Sequence, residues 1–203
     1  ASIQYNIRVR LRIKLEKRGI RALGIAESFR KELWNKSVLG GVIIRSDLVV
    51  DGVIFGTSTL GGDDATESVI DMFKRLMRND INVIILAGAI ISRYNIIDLD
   101  KVGYETGTPI ICVTFEESNG IEEQIKHHFP KKWNKKIEAY RKIGKQEEIC
   151  LKTGYKIYIR RYGLDLDLAK KTLDKFTLQG SVPEPIRVAR ILARANIKSV
   201  NDK

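Results

Sequence analysis

Long apolar runs, cysteine and histidine are all scarce in this chain of 203 residues. No apolar run approaches the ~20 residues of a membrane-spanning helix and no signal-peptide pattern opens the chain, so we expect no membrane partner. Two cysteines cannot build a disulfide framework, which favours a reducing, cytoplasmic location. The two histidines, His127 and His128, are adjacent and lack a second pair of ligands at metal-binding spacing.

Positive charge is abundant, with a formal net charge of +11. Such an excess favours a polyanionic partner, because each phosphate neutralised by lysine or arginine releases condensed counterions. A basic composition with no specific partner is the competing explanation. Charge predicts nucleic acid without deciding between DNA and RNA, and it leaves open whether the protein forms a homo-oligomer.

The centre of the chain predicts a βαβ unit. Two short apolar runs, Val83–Leu86 and Ile110–Val113, have the composition of strands covered on both faces. The intervening stretch is long enough for a crossover, with a helical pattern from Asp98 to Tyr104. Because ligands bind at the carboxyl ends of such strands, we expect a site near Gly88 and near Phe115–Ser118.

The N-terminal third predicts antiparallel strands. Residues 7–15 alternate strictly between apolar and basic side chains, which is typical of an amphipathic strand. Its cations could follow a phosphate backbone or could simply keep an edge strand soluble; they are Arg8, Arg10, Arg12 and Lys14. A strand at Ile20–Ala26 and a hairpin formed by Gly40–Arg45 and Leu48–Phe55 follow.

Two polar stretches are candidate parts of the site. The loop at residues 56–67 carries Asp63, Asp64 and Glu67, which either cap the next helix or contribute carboxylates to a site. The second stretch follows the strand at Val83–Leu86 and offers Ser92, Arg93 and Asn95 for an anionic group in the crevice. Polar residues in an exposed loop would look the same.

The C-terminal half adds basic helices to a small hairpin. A polar helix at Asn119–Phe129 is followed by one that Pro130 opens, on which Lys132 and Lys136 flank an apolar stripe containing Trp133. A hairpin and a helix at Asp165–Phe176 come next. The last helix starts at Pro185 and carries a basic stripe of Arg187, Arg190 and Arg194.

Several of these segments resemble one archaeal family. RALGIAESF, GGDDATE, VIILAG followed by NIIDL, and VPEPIRVARILA together resemble the "domain of unknown function 99" family over about residues 20–197. That family is in turn similar to endonuclease V, a metal-dependent nuclease with a ribonuclease-H-like sheet that cuts near deaminated bases. The resemblance therefore implies a nuclease scaffold.

The same resemblance implies where metal ligands should lie. Endonuclease V brings together an aspartate on its first strand, a glutamate on the following helix and an aspartate ending a central strand around Mg²⁺ or Mn²⁺. Here Glu67 matches the glutamate, whereas Ala26 and Ala87 occupy the aspartate positions. Glu116 falls near the place of an expected lysine. The candidate catalytic residues are therefore Glu67, Glu27 and Glu116.

We therefore expect an α/β protein with a mixed, ribonuclease-H-like sheet in which antiparallel strands precede a βαβ unit and helices cover both faces. Residues 1–203 should form one domain, with 1–15 as a basic extension and 145–203 packed on the same domain. The leading hypothesis is a nucleic-acid-binding protein with a degenerate active site and no assigned metal. The alternatives are a Mg²⁺- or Mn²⁺-dependent nuclease with relocated carboxylates, and a module that binds a small anion or a protein.

Overall fold

The structure is a computed structural model that describes residues 19–29 and 35–199, with side chains as far as residue 197. The basic strand predicted at residues 7–15 lies outside this part of the chain. Nine strands and six helices are described, in the following order: β1 (Arg21–Ser28), β2 (Lys36–Arg45), β3 (Val50–Thr59), α1 (Ala65–Arg75), β4 (Val83–Leu86), β5 (Ile90–Ile91), β6 (Asn95–Ile96), α2 (Leu99–Thr106), β7 (Ile110–Thr114), α3 (Glu122–His128), α4 (Trp133–Lys142), β8 (Glu147–Cys150), β9 (Lys156–Tyr162), α5 (Leu166–Phe176) and α6 (Glu184–Ser199).

Seven strands form one mixed sheet in the order β3-β2-β1-β4-β7-β9-β8. Strands β1, β4 and β7 run parallel to one another at its centre, whereas β2, β3, β9 and β8 pair antiparallel with their neighbours. This arrangement confirms the predicted mixed sheet, the early antiparallel strands and the central βαβ unit. The hairpin formed by β8 and β9 completes the same sheet.

Helices cover both faces of the sheet, as the apolar strands require. One core layer places α5 and α6 against the sheet, and the other places α1 and α2 against its opposite face. The approach of α6 depends on glycines in the strands below it. A Cβ atom at Gly24 would lie 2.3 Å from the carbonyl oxygen of Pro185, and one at Gly40 would lie 2.5 Å from that of Ala189.

Several predicted boundaries were wrong. The helix predicted at Asn119–Phe129 is confined to Glu122–His128, and the next begins at Trp133 instead of Pro130. The side chain of Trp133 was expected in the apolar stripe, but 36% of the residue is exposed. Helix α4 packs against α3 and β6, and of its predicted apolar stripe only Ile137 is buried.

Candidate functional site

The two alanines at the expected aspartate positions lie side by side. The amide of Ala87 donates to the carbonyl oxygen of Ile25, which brings the end of β4 next to Ala26 in β1. Both alanines pack into the core layer beneath α6, and Ala26 is only 3% exposed. The position where the resemblance places two metal-binding carboxylates is therefore apolar.

Glu27 lies on the opposite face of β1 and supports a loop. Its carboxylate accepts hydrogen bonds from the backbone amide and the hydroxyl of Ser92, at 2.8–3.0 Å. Ser92, Arg93 and Tyr94 all have positive φ angles, of 45°, 54° and 66°, which L-residues adopt only at a cost. Glu27 holds this left-handed turn in place, so its carboxylate already has partners within the fold.

Asp64 and Asn95 are joined in a second buried network. The amide nitrogen of Asn95 donates to the Asp64 carboxylate at 2.6 Å, and the hydroxyl of Thr59 donates to it at 2.7 Å. Burial raises the pKa of Asp64, but the hydrogen bonds from Thr59 and Asn95 outweigh burial and hold the pKa below its usual value. Asp64 occupies the N-cap position of α1, as predicted, but its side chain makes no capping hydrogen bond. The Asn95 side chain accepts from the Ala65 amide instead, at 3.0 Å.

Asp63 is bound by two lysines of α4. The ammonium of Lys136 contacts the Asp63 carboxylate at 3.0 Å and the carbonyl oxygens of Gly62 and Tyr94 at 2.8 and 2.9 Å. Lys135 contacts the same carboxylate at 3.2 Å. Burial raises the pKa of Asp63, but the two ammonium groups lower it further than burial raises it. Lys136 is 4% exposed, so its charge is used inside the protein.

The other two acidic candidates lie apart. Glu67 forms an ion pair with Lys101 of α2, and 62% of its side chain is exposed. Glu116 is exposed at the carboxyl end of β7 and lines a cleft there. Glu27 is engaged with Ser92, so the structure does not bring the three candidate catalytic acids together.

Of the predicted basic residues that are described, Arg190 has the most distinctive environment. Arg187 forms an ion pair with Glu184, and Arg194 and Lys132 are exposed. The Arg190 guanidinium lies 5.0 Å from the centre of the Phe115 ring and, within the described residues, has no acidic partner. Burial and the charge of Arg194 lower the pKa of Arg190. A positive charge is thus fixed beside the apolar strand ends.

Arg190 borders a cleft of about 400 Å³ at the carboxyl ends of β4 and β7. This is the edge where the sequence predicted a site, and Gly88 and Phe115 through Ser118 line it. Two of its lining residues, Gln146 and Arg160, were missed, although Arg160 belongs to the polar face of the alternating strand β9. The predicted crevice residues Ser92 and Asn95 are 1% and 0% exposed and take no part in the cleft, whereas Arg93 is exposed.

A divalent metal does not fit the described residues of this edge. Mg²⁺ and Mn²⁺ require several oxygen ligands converging on one point. Nowhere in residues 19–29 and 35–197 do three acidic, histidine or cysteine side chains come together to hold a metal ion. Ala26 and Ala87 cannot ligate a metal, so the two carboxylates that the resemblance implies are missing from this edge of the sheet.

This architecture defines an endonuclease-V-like protein with a ribonuclease-H-like fold. Endonuclease V from Ciona intestinalis, bound to DNA containing an inosine followed by a ribo-adenosine, superposes with a TM-score of 0.64 at 17% identity, over 96% of this chain and 91% of that one. Human endonuclease V gives a TM-score of 0.61 at 14% identity, over 90% and 86%. At these identities the likeness concerns the fold.

The chain belongs to the endonuclease dU family, which it matches over residues 18–197. A UPF0215 protein from Pyrobaculum calidifontis is 41% identical over 172 residues, covering 84% of this chain and 93% of that protein. An Archaeoglobus fulgidus protein of unknown function superposes with a TM-score of 0.74 at 25% identity, over 87% and 98%. Across the described residues no helix has both the length and the apolar character needed to cross a membrane.

Proposed function

We propose that this protein binds nucleic acid in the cleft between the ends of β4 and β7 and helix α6, and that binding needs no divalent metal. The observation that carries the proposal is Arg190, a partly buried guanidinium that has no acidic partner among the residues the structure describes. An arginine in that state favours an anion from outside, since a buried charge is costly until it is paired.

The proposal also explains the two alanines. In a metal-dependent nuclease, carboxylates at this edge hold cations that attract the phosphate. Ala26 and Ala87 remove the negative charge, and Arg190 supplies a positive charge that belongs to the protein itself. A phosphate can then be attracted electrostatically without a bound cation.

The surroundings of Arg190 suit a polynucleotide. The Arg190 guanidinium, which lies over the Phe115 ring, offers a flat cation of the kind on which bases stack. The net charge of +11 adds a long-range attraction for a polyanion. The Ciona relative of the same fold has been captured with DNA, which supports nucleic acid as the partner class.

A nuclease is the second candidate, and one observation favours it. Glu116 and Glu117 are adjacent, exposed and line the same cleft, so two carboxylates are available close to the proposed phosphate position. The family's name, endonuclease dU, points in the same direction. This reading predicts Mn²⁺-dependent cleavage that Glu116→Ala abolishes.

The test is fluorescence anisotropy with labelled single- and double-stranded DNA and RNA, including an inosine-containing strand, in EDTA or Mn²⁺. We expect binding in EDTA that weakens steeply with salt. Arg190→Gln should raise Kd about tenfold and lower the magnitude of the log–log salt slope by about 1. The control Lys152→Gln removes an exposed cation that does not line the cleft.

The other outcomes refute the proposal. Binding that requires Mn²⁺, accompanied by strand cleavage on a gel, would favour the nuclease. Absence of any salt-dependent binding would favour the small-anion or protein-binding module. Equal losses in Arg190→Gln and Lys152→Gln would mean that net charge, and not the cleft, governs binding.

A further inference from the structure

A second cavity, of about 520 Å³, adjoins the cleft and shares four lining residues with it: Glu117, Ser118, Gln146 and Arg160. Its floor is formed by β9, where Tyr158 and Arg160 project on the face opposite to Ile157 and Ile159. The C-terminal end of α4 and the following turn, with Tyr140 and Lys145, form the opposite wall. Ligand sites for small molecules commonly have this volume.

Arg160 is the unusual residue of this cavity. It is 6% exposed, and its Nε donates to the carbonyl oxygen of Gly144 at 2.9 Å. Within the described residues this is the only hydrogen bond of its guanidinium, and no carboxylate forms an ion pair with it. The remaining donors of a nearly buried guanidinium thus face the cavity without an acceptor, and buried arginines are normally paired.

The charges around Arg160 favour an anion. Lys145 lines the cavity and has no acidic partner in the described part of the chain. Two other lining charges are already neutralised, because Arg141 binds Glu122 and Glu148 binds Lys156. Glu117 is the remaining lining acid, so cations without partners outnumber acids without partners by two to one.

The walls of the cavity favour a ligand with an aromatic ring next to its anionic group. Tyr140 and Tyr158 are half-buried and line the cavity from opposite elements, α4 and β9. Aromatic side chains bind nucleobases by stacking without a strong preference for sequence. The neighbouring amide of Gln146 is fixed by Ser118 and Thr114, at 2.7 and 2.5 Å, which gives the cavity a rigid end.

We propose that this cavity binds a nucleotide carrying a terminal phosphate, with Arg160 and Lys145 on the phosphate and the two tyrosines against the base. Two cations suit the two negative charges of a phosphate monoester. The same chemistry could come from a free mononucleotide or from the phosphorylated end of a strand. The strand source rests on the proposed function, and the mononucleotide source does not.

The test measures Kd by isothermal titration calorimetry for AMP, inorganic phosphate and adenosine, and by anisotropy for one labelled 8-mer with and without a terminal phosphate. We expect AMP to bind at least tenfold more tightly than adenosine. Arg160→Gln, which keeps a donor for Gly144, and Lys145→Gln should each weaken AMP binding about tenfold. Lys152→Gln, an exposed cation outside the cavity, is the matched control.

Each outcome decides the assignment. If the 8-mer binds tenfold more tightly with its terminal phosphate than without it, and more tightly than AMP, the ligand is the end of a nucleic-acid strand. If AMP binds as tightly as the phosphorylated 8-mer, the ligand is the free nucleotide. Equal binding of AMP and adenosine, or no loss in Arg160→Gln whose far-ultraviolet spectrum and Tm are native, would overturn the proposal. If the 8-mer binds equally with and without its terminal phosphate and AMP does not bind, only the assignment of this cavity is refuted. If the 8-mer does not bind in either form, the proposed function is refuted.

Discussion

Glu27→Gln separates a structural carboxylate from a metal ligand. In the native protein the carboxylate accepts three contacts of 2.8–3.0 Å from Ser92, two from its amide and one from its hydroxyl. Glutamine keeps the shape and one acceptor oxygen but loses the charge and turns an NH₂ group toward donors. Hydrogen bonds to charged groups contribute about 1.5–3 kcal/mol each, and neutral ones about 0.5–1.5.

We therefore expect Glu27→Gln to destabilise the protein by about 1–2 kcal/mol. For a chain of this size that corresponds to a fall in Tm of roughly 2–8 °C. The loss should be present in EDTA, because Glu27 supports the left-handed turn at Ser92–Tyr94 and not a cation. Thermal unfolding by circular dichroism, with EDTA or Mn²⁺, provides the measurement.

Arg93→Gly is the paired control. Arg93 is exposed with a φ angle of 54°, so glycine relieves backbone strain without removing a contact of Glu27, and Tm should stay level or rise. The opposite result is a Tm that Glu27→Gln leaves unchanged in EDTA, together with the loss of a stabilisation by Mn²⁺ seen in the native protein. That pattern would make Glu27 a metal ligand.

Three further predictions follow from the packing and the pKa values. Gly24→Ala should destabilise the protein by about 1–3 kcal/mol and weaken nucleic-acid binding, because a Cβ atom 2.3 Å from the Pro185 carbonyl oxygen forces α6 away from the sheet. Denaturant unfolding measures the loss of stability, and anisotropy measures the loss of binding. The pKa of the Asp64 carboxyl is lowered in the folded protein, so its contribution to stability is present above the usual pKa of 3.8 and is lost as the pH falls through the folded value. In Asp64→Asn the Tm should therefore depend less on pH in that range. Burial raises the pKa of Cys112 to about 12, whereas Cys150 is exposed, so a thiol reagent at pH 8 should modify one thiol in the native protein and two in denaturant.

The fold was predictable because its signals are local. Turn residues marked the hairpin of β2 and β3, alternation marked β9, and two short β-branched runs marked the parallel centre of the sheet. The residues expected at the edge, from Phe115 to Ser118, do line a cleft. Each of these predictions needed only neighbouring residues and the rule that parallel strands end at a common edge.

The polar contacts were not predictable, because their partners are distant in sequence. Ser92 was predicted either to bind an anion in the crevice or to lie in an exposed loop, but it is buried and binds Glu27, 65 positions away. Asn95 is 30 positions from the Ala65 amide whose hydrogen bond it accepts, so proximity in sequence offered only Asp63 and Asp64 as capping candidates. The pattern of β9 placed Arg160 on a polar face, but it could not indicate that the Arg160 side chain is almost completely covered.

Metal-independent nucleic-acid binding through Arg190 is tested most directly by the anisotropy of a labelled nucleic-acid strand in EDTA across a salt series. The native protein, Arg190→Gln and Lys152→Gln are compared. We expect tight, salt-sensitive binding without metal, about tenfold weaker in Arg190→Gln and nearly unchanged in Lys152→Gln. Binding that appears only with Mn²⁺ and does not respond to Arg190→Gln would contradict this expectation.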